Sequence, residues 1–180
     1  GLGWFGKNSM LINRKEGSFV MIASILLNER LPLIEKSDIE TDHCGSCTDC
    51  IDACPTDAID AKTRTLISAK CISTWTIELF KEAPELKGHP GQSNGEIFGC
   101  DICQDVCPWN IKKLAKVIKR RPIKESAELL FNDFLKKPVS QIYKDLETLS
   151  NNQFRKIYAL TPLSRTGRKS LMKNVQLFLP

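Results

Sequence analysis

The chain lacks several things, and each absence narrows its class. No apolar run approaches the roughly 18–20 residues of a membrane-spanning helix. The longest, Phe19 to Leu27, is interrupted by Ser24, so no membrane partner is expected. There is no initiator Met and no charged segment ahead of an apolar stretch, so no secretory signal is visible. The opening Gly-Leu-Gly reads as the interior of a longer protein. Cysteine is absent outside positions 44–107. Acidic residues are missing from Lys112 to Lys124 and again after Glu147. The basic part carries no aromatic interleaving and no base-reading motif, so nucleic-acid contacts there would position rather than specify.

What is present is concentrated. All eight cysteines lie in Cys44-Gly-Ser-Cys47-Thr-Asp-Cys50-Ile-Asp-Ala-Cys54-Pro55, in Cys100-Asp-Ile-Cys103-Gln-Asp-Val-Cys107-Pro108, and at Cys71 between them. The first run has the C-x2-C-x2-C-x3-C-P spacing of bacterial-type ferredoxins, whose fourth Cys ligates the other cluster. The second run repeats it, with Cys71 standing in for the first Cys. Three thiolates two residues apart wrap one corner of a cubane as the backbone turns, and the fourth reaches the neighbouring cluster. The expected sets for two [4Fe–4S] clusters are therefore Cys44, Cys47, Cys50 and Cys107 for one, and Cys54, Cys71, Cys100 and Cys103 for the other. Zinc also accepts four cysteines, usually as C-x2-C pairs about 15–20 residues apart. The close third and fourth cysteines, each run ending in Cys-Pro, argue against it. Disulfides fit a charged chain without a visible secretory signal poorly.

The net charge of +5 conceals an asymmetry. Through Ile111 there are 10 Lys and Arg against 16 Asp and Glu; from Lys112 onward there are 16 against 5. An acidic cluster-bearing part precedes a basic tail, which predicts an anionic partner for the tail. A solvated basic face is the plainer reading of any one cation. The two acid-free stretches together favour a phosphate-backbone surface.

Local patterns predict the elements. Gly1, Gly3 and Gly6 match G-x-G-x-x-G formally, but a dinucleotide site needs a preceding strand and a following helix. Here Ser-Met-Leu-Ile reads as a strand after the loop. Either a tight turn or a close backbone approach to a cofactor would use these glycines. Ser18 is the expected N-cap of a helix whose face is Phe19, Ile22, Ala23, Leu26 and Leu27, ending at Pro32. An acidic connector follows to Asp42, and His43 is expected as a hydrogen-bonding neighbour of the first cluster. Ala58-Ile59 and Leu66-Ile67 flank a hairpin turn. Cys71 to Phe80 reads as a helix with Ile72, Trp75, Ile77 and Leu79 inward, and residues 81–95 as an exposed loop. Further helices are expected from Leu114 with Val117 and Ile118, from Asn132 to Leu146, and from Gln153 to Leu160. The predicted fold class is α+β. The predicted domains are residues 1–40, residues 41–111 carrying the clusters, and a basic helical region over residues 112–180.

Four stretches together carry a more specific resemblance. They are Gly-Leu-Gly-Trp-Phe-Gly-Lys-Asn, His-Cys-Gly-Ser-Cys-Thr-Asp-Cys-Ile-Asp-Ala-Cys-Pro-Thr-Asp-Ala-Ile, Cys-Ile-Ser-Thr-Trp-Thr-Ile-Glu, and Ile-Phe-Gly-Cys-Asp-Ile-Cys-Gln-Asp-Val-Cys-Pro-Trp-Asn. They resemble the epoxyqueuosine reductase family over residues 1–110, and more loosely at Pro162-Leu-Ser-Arg165 and Met172-Lys-Asn174. The resemblance implies a cytoplasmic, monomeric oxidoreductase with two [4Fe–4S] clusters and a cobalamin, acting on epoxyqueuosine in the tRNA anticodon and fed by a low-potential donor such as flavodoxin or ferredoxin. It implies a ferredoxin-like module flanked by the edge of an α/β cobalamin-binding domain (residues 1–40) and a HEAT-like helical tail. It places the family's proton-donating Asp just ahead of the glycine loop, so no residue here is expected to be catalytic. Lys7, Asn8 and Ser9, Ser73 and Thr76, and Glu96 and Ile97 are expected nearest the corrin. A plain dicluster electron carrier, a cobalamin-dependent reductase of a small molecule and a zinc-binding nucleic-acid module are the competing readings.

Overall fold

The computed structural model describes residues 1–29, 39–78, 95–118 and 125–179, the side chains of residues 115–118 excepted. The chain forms two compact units, Gly1–Ile67 with Asp101–Arg120, and Ser68–Cys100 with Arg121–Pro180. Two small hairpins and a set of helices make the α+β composition expected.

The first unit begins with strands β1 (Trp4–Phe5) and β2 (Leu11–Ile12), paired antiparallel with Trp4 opposite Ile12. Period-two alternation turns Trp4 and Ile12 inward and leaves Phe5 exposed. Their loop closes through Gly6 N–H to Met10 O at 2.9 Å and Ser9 N–H to Gly6 O at 3.0 Å. The short helix α1 (Asp49–Asp52) carries Cys50. A second hairpin joins β3 (Ile59–Asp60) to β4 (Thr65–Leu66), where the sequence predicts one. Its turn is held by the Asp60 carboxylate, which accepts from the Lys62 N–H at 2.8 Å and the Thr63 N–H at 3.2 Å. Helix α2 (Ile102–Asp105) carries Cys103, and α3 (Pro108–Ile118) starts at the Pro after Cys107. Proline suits that first helical position because its missing N–H has no intrahelical role there.

The helix expected after Ser18 does not form. Residues 19–27 have no regular structure, and Met21, Ile25 and Leu26 are almost wholly exposed. Ser18 is not a cap: its N–H donates to Asn110 Oδ1 at 2.8 Å, and its hydroxyl donates to Gln104 Oε1 at 2.9 Å. An amphipathic helix of this length draws most of its stability from packing its apolar face, and here that face stays largely exposed, Ile22 at 65% and Leu26 at 97%. The expected helix end at Pro32, residues 33–38 of the acidic connector and most of the loop expected over 81–95 lie outside the described residues.

In the second unit a 3-10 turn (Ser68–Lys70) leads into a π-helical turn (Thr74–Glu78) that buries Trp75 and Thr76. Ile72 is buried beside them as expected, whereas Leu79 lies outside the described residues. Helix α4 (Glu125–Leu130) runs into a second π-helical turn (Phe131–Leu135). The helix expected from Asn132 to Leu146 is therefore two elements. Pro138 is extended, with φ −65° and ψ 152°, and α5 (Val139–Thr148) begins after it. Proline cannot supply the mid-helix N–H and its ring clashes with the preceding turn. Helix α6 (Asn151–Ile157) opens with a capping box, Ser150 and Gln153 bonding each other's backbone N–H. Helices α7 (Leu163–Thr166) and α8 (Arg168–Gln176) complete the unit. Ile142, Leu146, Phe154, Tyr158, Leu163, Leu171 and Val175 form its core. Each such side chain contributes ~1.5–3 kcal/mol by leaving water.

Candidate metal centre

Four cysteines meet in the first unit because two local turns present them to one another. Cys44 opens a turn in which the Cys47 N–H donates to Cys44 O at 3.0 Å, across Gly45 at φ +51°. The backbone then enters α1, which carries Cys50. Cys107 arrives from the other run, its N–H donating to Gln104 O at 3.2 Å as the chain turns into α3. Cys44, Cys47, Cys50 and Cys107 line one cavity of about 170 Å³, together with Lys7, Asn8, His43 and Trp109. All eight cysteines are free of disulfides.

Burial and mutual proximity favour the neutral form of two of these thiols. Burial pushes the Cys50 thiol up, and the neighbouring sulfurs of Cys107, Cys44 and Cys47 push it further. Cys107 is also raised, first by burial, against the opposing N–H groups of Trp109 and Asn110. The iron of a cluster would supply the positive charge that favours the thiolate form at Cys50 and Cys107. The donor set and the cavity therefore fit a thiolate-held cluster.

The surroundings brace the cysteine loop. Lys7 donates from Nζ to Gly45 O and to Cys47 O, both at 2.8 Å. Asn8, almost fully buried, donates from Nδ2 to Cys103 O at 3.2 Å. The rings of Trp4 and Trp109 meet edge-on with centroids 4.9 Å apart, and His43 sits edge-on to Trp4 at 4.8 Å. His43 Nε2 lies 2.7 Å from Glu40 Oε1 and 2.9 Å from Arg14 Nη2. It thus behaves as a hydrogen-bonding neighbour. That His43 contact, more than Arg14, holds the Glu40 carboxyl below its usual range.

Asn110 is the polar anchor that sequence reasoning passed over. It is 1% exposed, accepts the Ser18 N–H, and donates to Ser18 Oγ and Gln104 O, both at 2.8 Å. Gly17 packs against it: a Cβ there would lie 2.2 Å from Asn110 Oδ1, and its φ of +78° already favours glycine. The signal was available in Cys-Pro-Trp-Asn, since a polar residue one turn into a buried helix needs partners.

The other four cysteines divide between the units. Cys54 and Cys103 belong to the first; Cys71 and Cys100 belong to the second. Cys54 Sγ accepts the Ala58 N–H at 3.3 Å. Among the residues expected near a corrin, Lys7 and Asn8 line the cysteine cavity. Ser9 is left-handed at φ 62° and its hydroxyl donates to Arg64 O. In the second unit Thr76 is buried, its hydroxyl donating to Ile72 O and accepting the Gly99 N–H. Asn174 of α8 gathers Thr76 and Ile97 by donating to both carbonyls at 3.0 Å. Ser73 and Glu96 are half-buried.

Comparison with known proteins places this geometry. Residues 43–110 match the family described as the 4Fe-4S double cluster binding domain. An epoxyqueuosine reductase of Cyclobacterium marinum is 40% identical over 175 residues, covering 97% of this chain and 50% of the relative. That of Leadbetterella byssophila is 43% identical over 176 residues, covering 97% and 51%. The chain spans about half the length of the curated relatives it matches. A crystal structure of epoxyqueuosine reductase with a tRNA-Tyr epoxyqueuosine-modified stem loop aligns at TM-score 0.64 and 28% identity, over 98% of this chain and 42% of that one.

Proposed function

We propose, for a chain that belongs with the epoxyqueuosine reductases over the half of them it spans, that it is the electron-relay and RNA-facing part of such an enzyme. The reaction is reduction of epoxyqueuosine to queuosine at the tRNA wobble position. Opening and deoxygenating an epoxide to an alkene consumes two electrons and two protons and releases water. The observation that carries the reading is the cavity lined by Cys44, Cys47, Cys50 and Cys107. Those four would hold one [4Fe–4S] cluster, and Cys54, Cys71, Cys100 and Cys103 the other. Clusters of this kind supply electrons singly, at a potential set by charge, hydrogen bonding and exposure.

This chain's own residues tune that delivery. Lys7 holds the loop between Cys44 and Cys47 and keeps a positive charge beside it. Trp4, Trp109 and His43 shield the cavity from water, which favours a defined potential. Cobalamin enters through the family resemblance, and when bound it supplies a strongly nucleophilic reduced cobalt. The residues present fit it unevenly. Ser73, Glu96 and Ile97 are half-exposed residues and would be the ones to contact corrin side groups. Lys7, Asn8, Ser9 and Thr76 have their polar atoms committed within the chain and act by positioning.

The charge of the tail favours an anionic partner, and the family resemblance implies the other roles. The basic region over residues 112–180 is the surface for the tRNA anticodon arm, and its helices are the start of a HEAT-like tail. Residues 1–40 form an edge of the cobalamin-binding domain, and residues 41–111 form the cluster module. The protein works as a cytoplasmic monomer fed by flavodoxin or ferredoxin. No helix among the described residues is long and apolar enough to cross a membrane. A plain electron carrier would need no counterpart of the basic tail, yet the 40% identity to a reductase extends over 97% of the chain.

The test is direct. The holoprotein, reconstituted anaerobically with iron, sulfide and cobalamin, is given a low-potential reductant and tRNA containing epoxyqueuosine. Cobalamin-dependent queuosine in the digested tRNA supports the reading. Intact clusters with neither cobalamin binding nor queuosine would leave a ferredoxin-type carrier.

A further inference from the structure

A cleft of about 500 Å³ opens between α6 and α8 in the second unit. Its lining includes Arg155, Arg165, Arg168, Lys169 and Lys173, and no acidic residue. Three features distinguish it from a merely basic surface. The nine-residue helix α8 points its N-terminus into this lining, with Gly167 at the N-cap and no side-chain cap. The first N–H groups of a helix lack intrahelical acceptors and favour an anion. Thr166, which lines the cleft, is 6% exposed, and its Oγ1 has no hydrogen-bond partner. A buried hydroxyl without a partner is costly and unusual in a folded protein. Finally, the wall is pre-set: Arg168 is fixed by Nε donating to Asn151 Oδ1 at 3.1 Å and Nη1 donating to Leu146 O at 3.0 Å.

We infer that this cleft seats a backbone phosphate of the RNA substrate, with Thr166 Oγ1 and the first N–H groups of α8 as donors and Arg155 and Lys169 as counter-charges. The assignment rests on the tRNA-reductase reading and says where that RNA is gripped. The bond that the buried Thr166 hydroxyl lacks within the chain is made by the ligand. Arg155 and Lys169 are exposed, with side chains that make no ion pair with any described residue. Arg168 contributes its charge while serving the fold. Phosphate contacts of this type orient an RNA without reading its sequence, in keeping with a tail that has no base-reading motif.

The experiment uses the intact holoprotein and an anticodon stem–loop RNA, with affinity measured over a range of salt. Thr166→Val keeps the shape and removes the donor. It should weaken RNA binding roughly 10–150-fold, as loss of one bond to a charged group does, and melt no lower than the parent. The double variant Arg155→Gln with Lys169→Gln should lower the slope of log affinity against log salt by about 0.7–0.9, as for one lost phosphate contact. Parent-like affinity and slope in both variants, with queuosine still formed, would overturn the cleft and leave the reductase reading intact. A parent that neither binds RNA nor forms queuosine overturns both. Inorganic phosphate is the separating probe: saturable binding of phosphate alone, lost in Thr166→Val while RNA affinity stays unchanged, would make this a free-phosphate site and sink the RNA assignment.

Discussion

Lys7 donates from Nζ to the backbone carbonyl of Cys47 at 2.8 Å, across forty positions of sequence. This bond, with its companion to Gly45 O, ties the first hairpin to the turn that presents three cysteines. It also sets a fixed positive charge beside the cavity. Removing it as Lys7→Met should lower the reduction potential of the cluster held there by on the order of 50 mV. That corresponds to ~1 kcal/mol for one charge at the effective dielectric of a protein surface. Lys7→Arg should recover most of the shift. A redox titration followed by paramagnetic resonance reads it, and an unchanged potential in Lys7→Met would remove Lys7 from the tuning set.

The crossed ligation proposed above makes a sharp demand on Cys107. Although it lies in the second cysteine run, Cys107→Ser should cost the cluster of Cys44, Cys47 and Cys50. Iron per chain should fall by about half, since each cluster holds four irons. Cys54→Ser should produce the complementary loss. If Cys107→Ser and Cys103→Ser removed the same cluster, the crossed arrangement would be wrong.

Asn110 and Gly17 form a single packed joint. Asn110→Ala leaves the Ser18 N–H and the Gln104 carbonyl without their partner, which should cost ~2–4 kcal/mol in denaturant unfolding. Gly17→Ala should destabilise by a similar amount, because the new Cβ would meet Asn110 Oδ1 at 2.2 Å and φ is positive. The pair Gly17→Ala with Asn110→Ala should cost less than the sum, since the clash disappears with the side chain. Strict additivity would show that the two sites do not share this contact.

A pH dependence belongs to the second unit. The hydrogen bond from Lys137, then that from Gln141, holds the Asp145 carboxyl below its ordinary 3.8. A depressed carboxylate stabilises the fold above its unfolded pKa and loses that contribution as pH falls through the folded value. The stability difference between the parent and Asp145→Asn should therefore be constant from pH 8 to about 5 and close below about 4. Amide exchange along α5 reports it. A difference that persisted undiminished at about pH 2.5 would mean the carboxylate charge is not the source.

Much of the cluster module was legible because its chemistry is written in spacing. Thiolates two residues apart, closed by Cys-Pro, constrain a short turn locally, and the β3–β4 hairpin follows from polar residues between two apolar pairs. Residues 19–27 show the limit of pattern: their helical periodicity is real, but a periodic face forms a helix only when something packs on it. The stretch Asn132–Leu146 failed differently, since Pro138 overrode a continuous apolar stripe.

By itself, then, the sequence pointed to the grouping of the cysteines, the β3–β4 hairpin, the charge division and the resemblance to epoxyqueuosine reductases, because each depends on residue type and short-range spacing; the strand Trp4–Phe5 ahead of the loop was not legible there. Tertiary structure alone decided which groups serve one another over long distances. It put Lys7 on the Cys47 carbonyl, Asn110 under Ser18, and Asn174 between Thr76 and Ile97. It left Thr166 buried without a partner beside the uncapped start of α8. These pairings satisfy or leave open individual hydrogen-bonding groups in the interior, and no local pattern records which distant group will arrive to meet them.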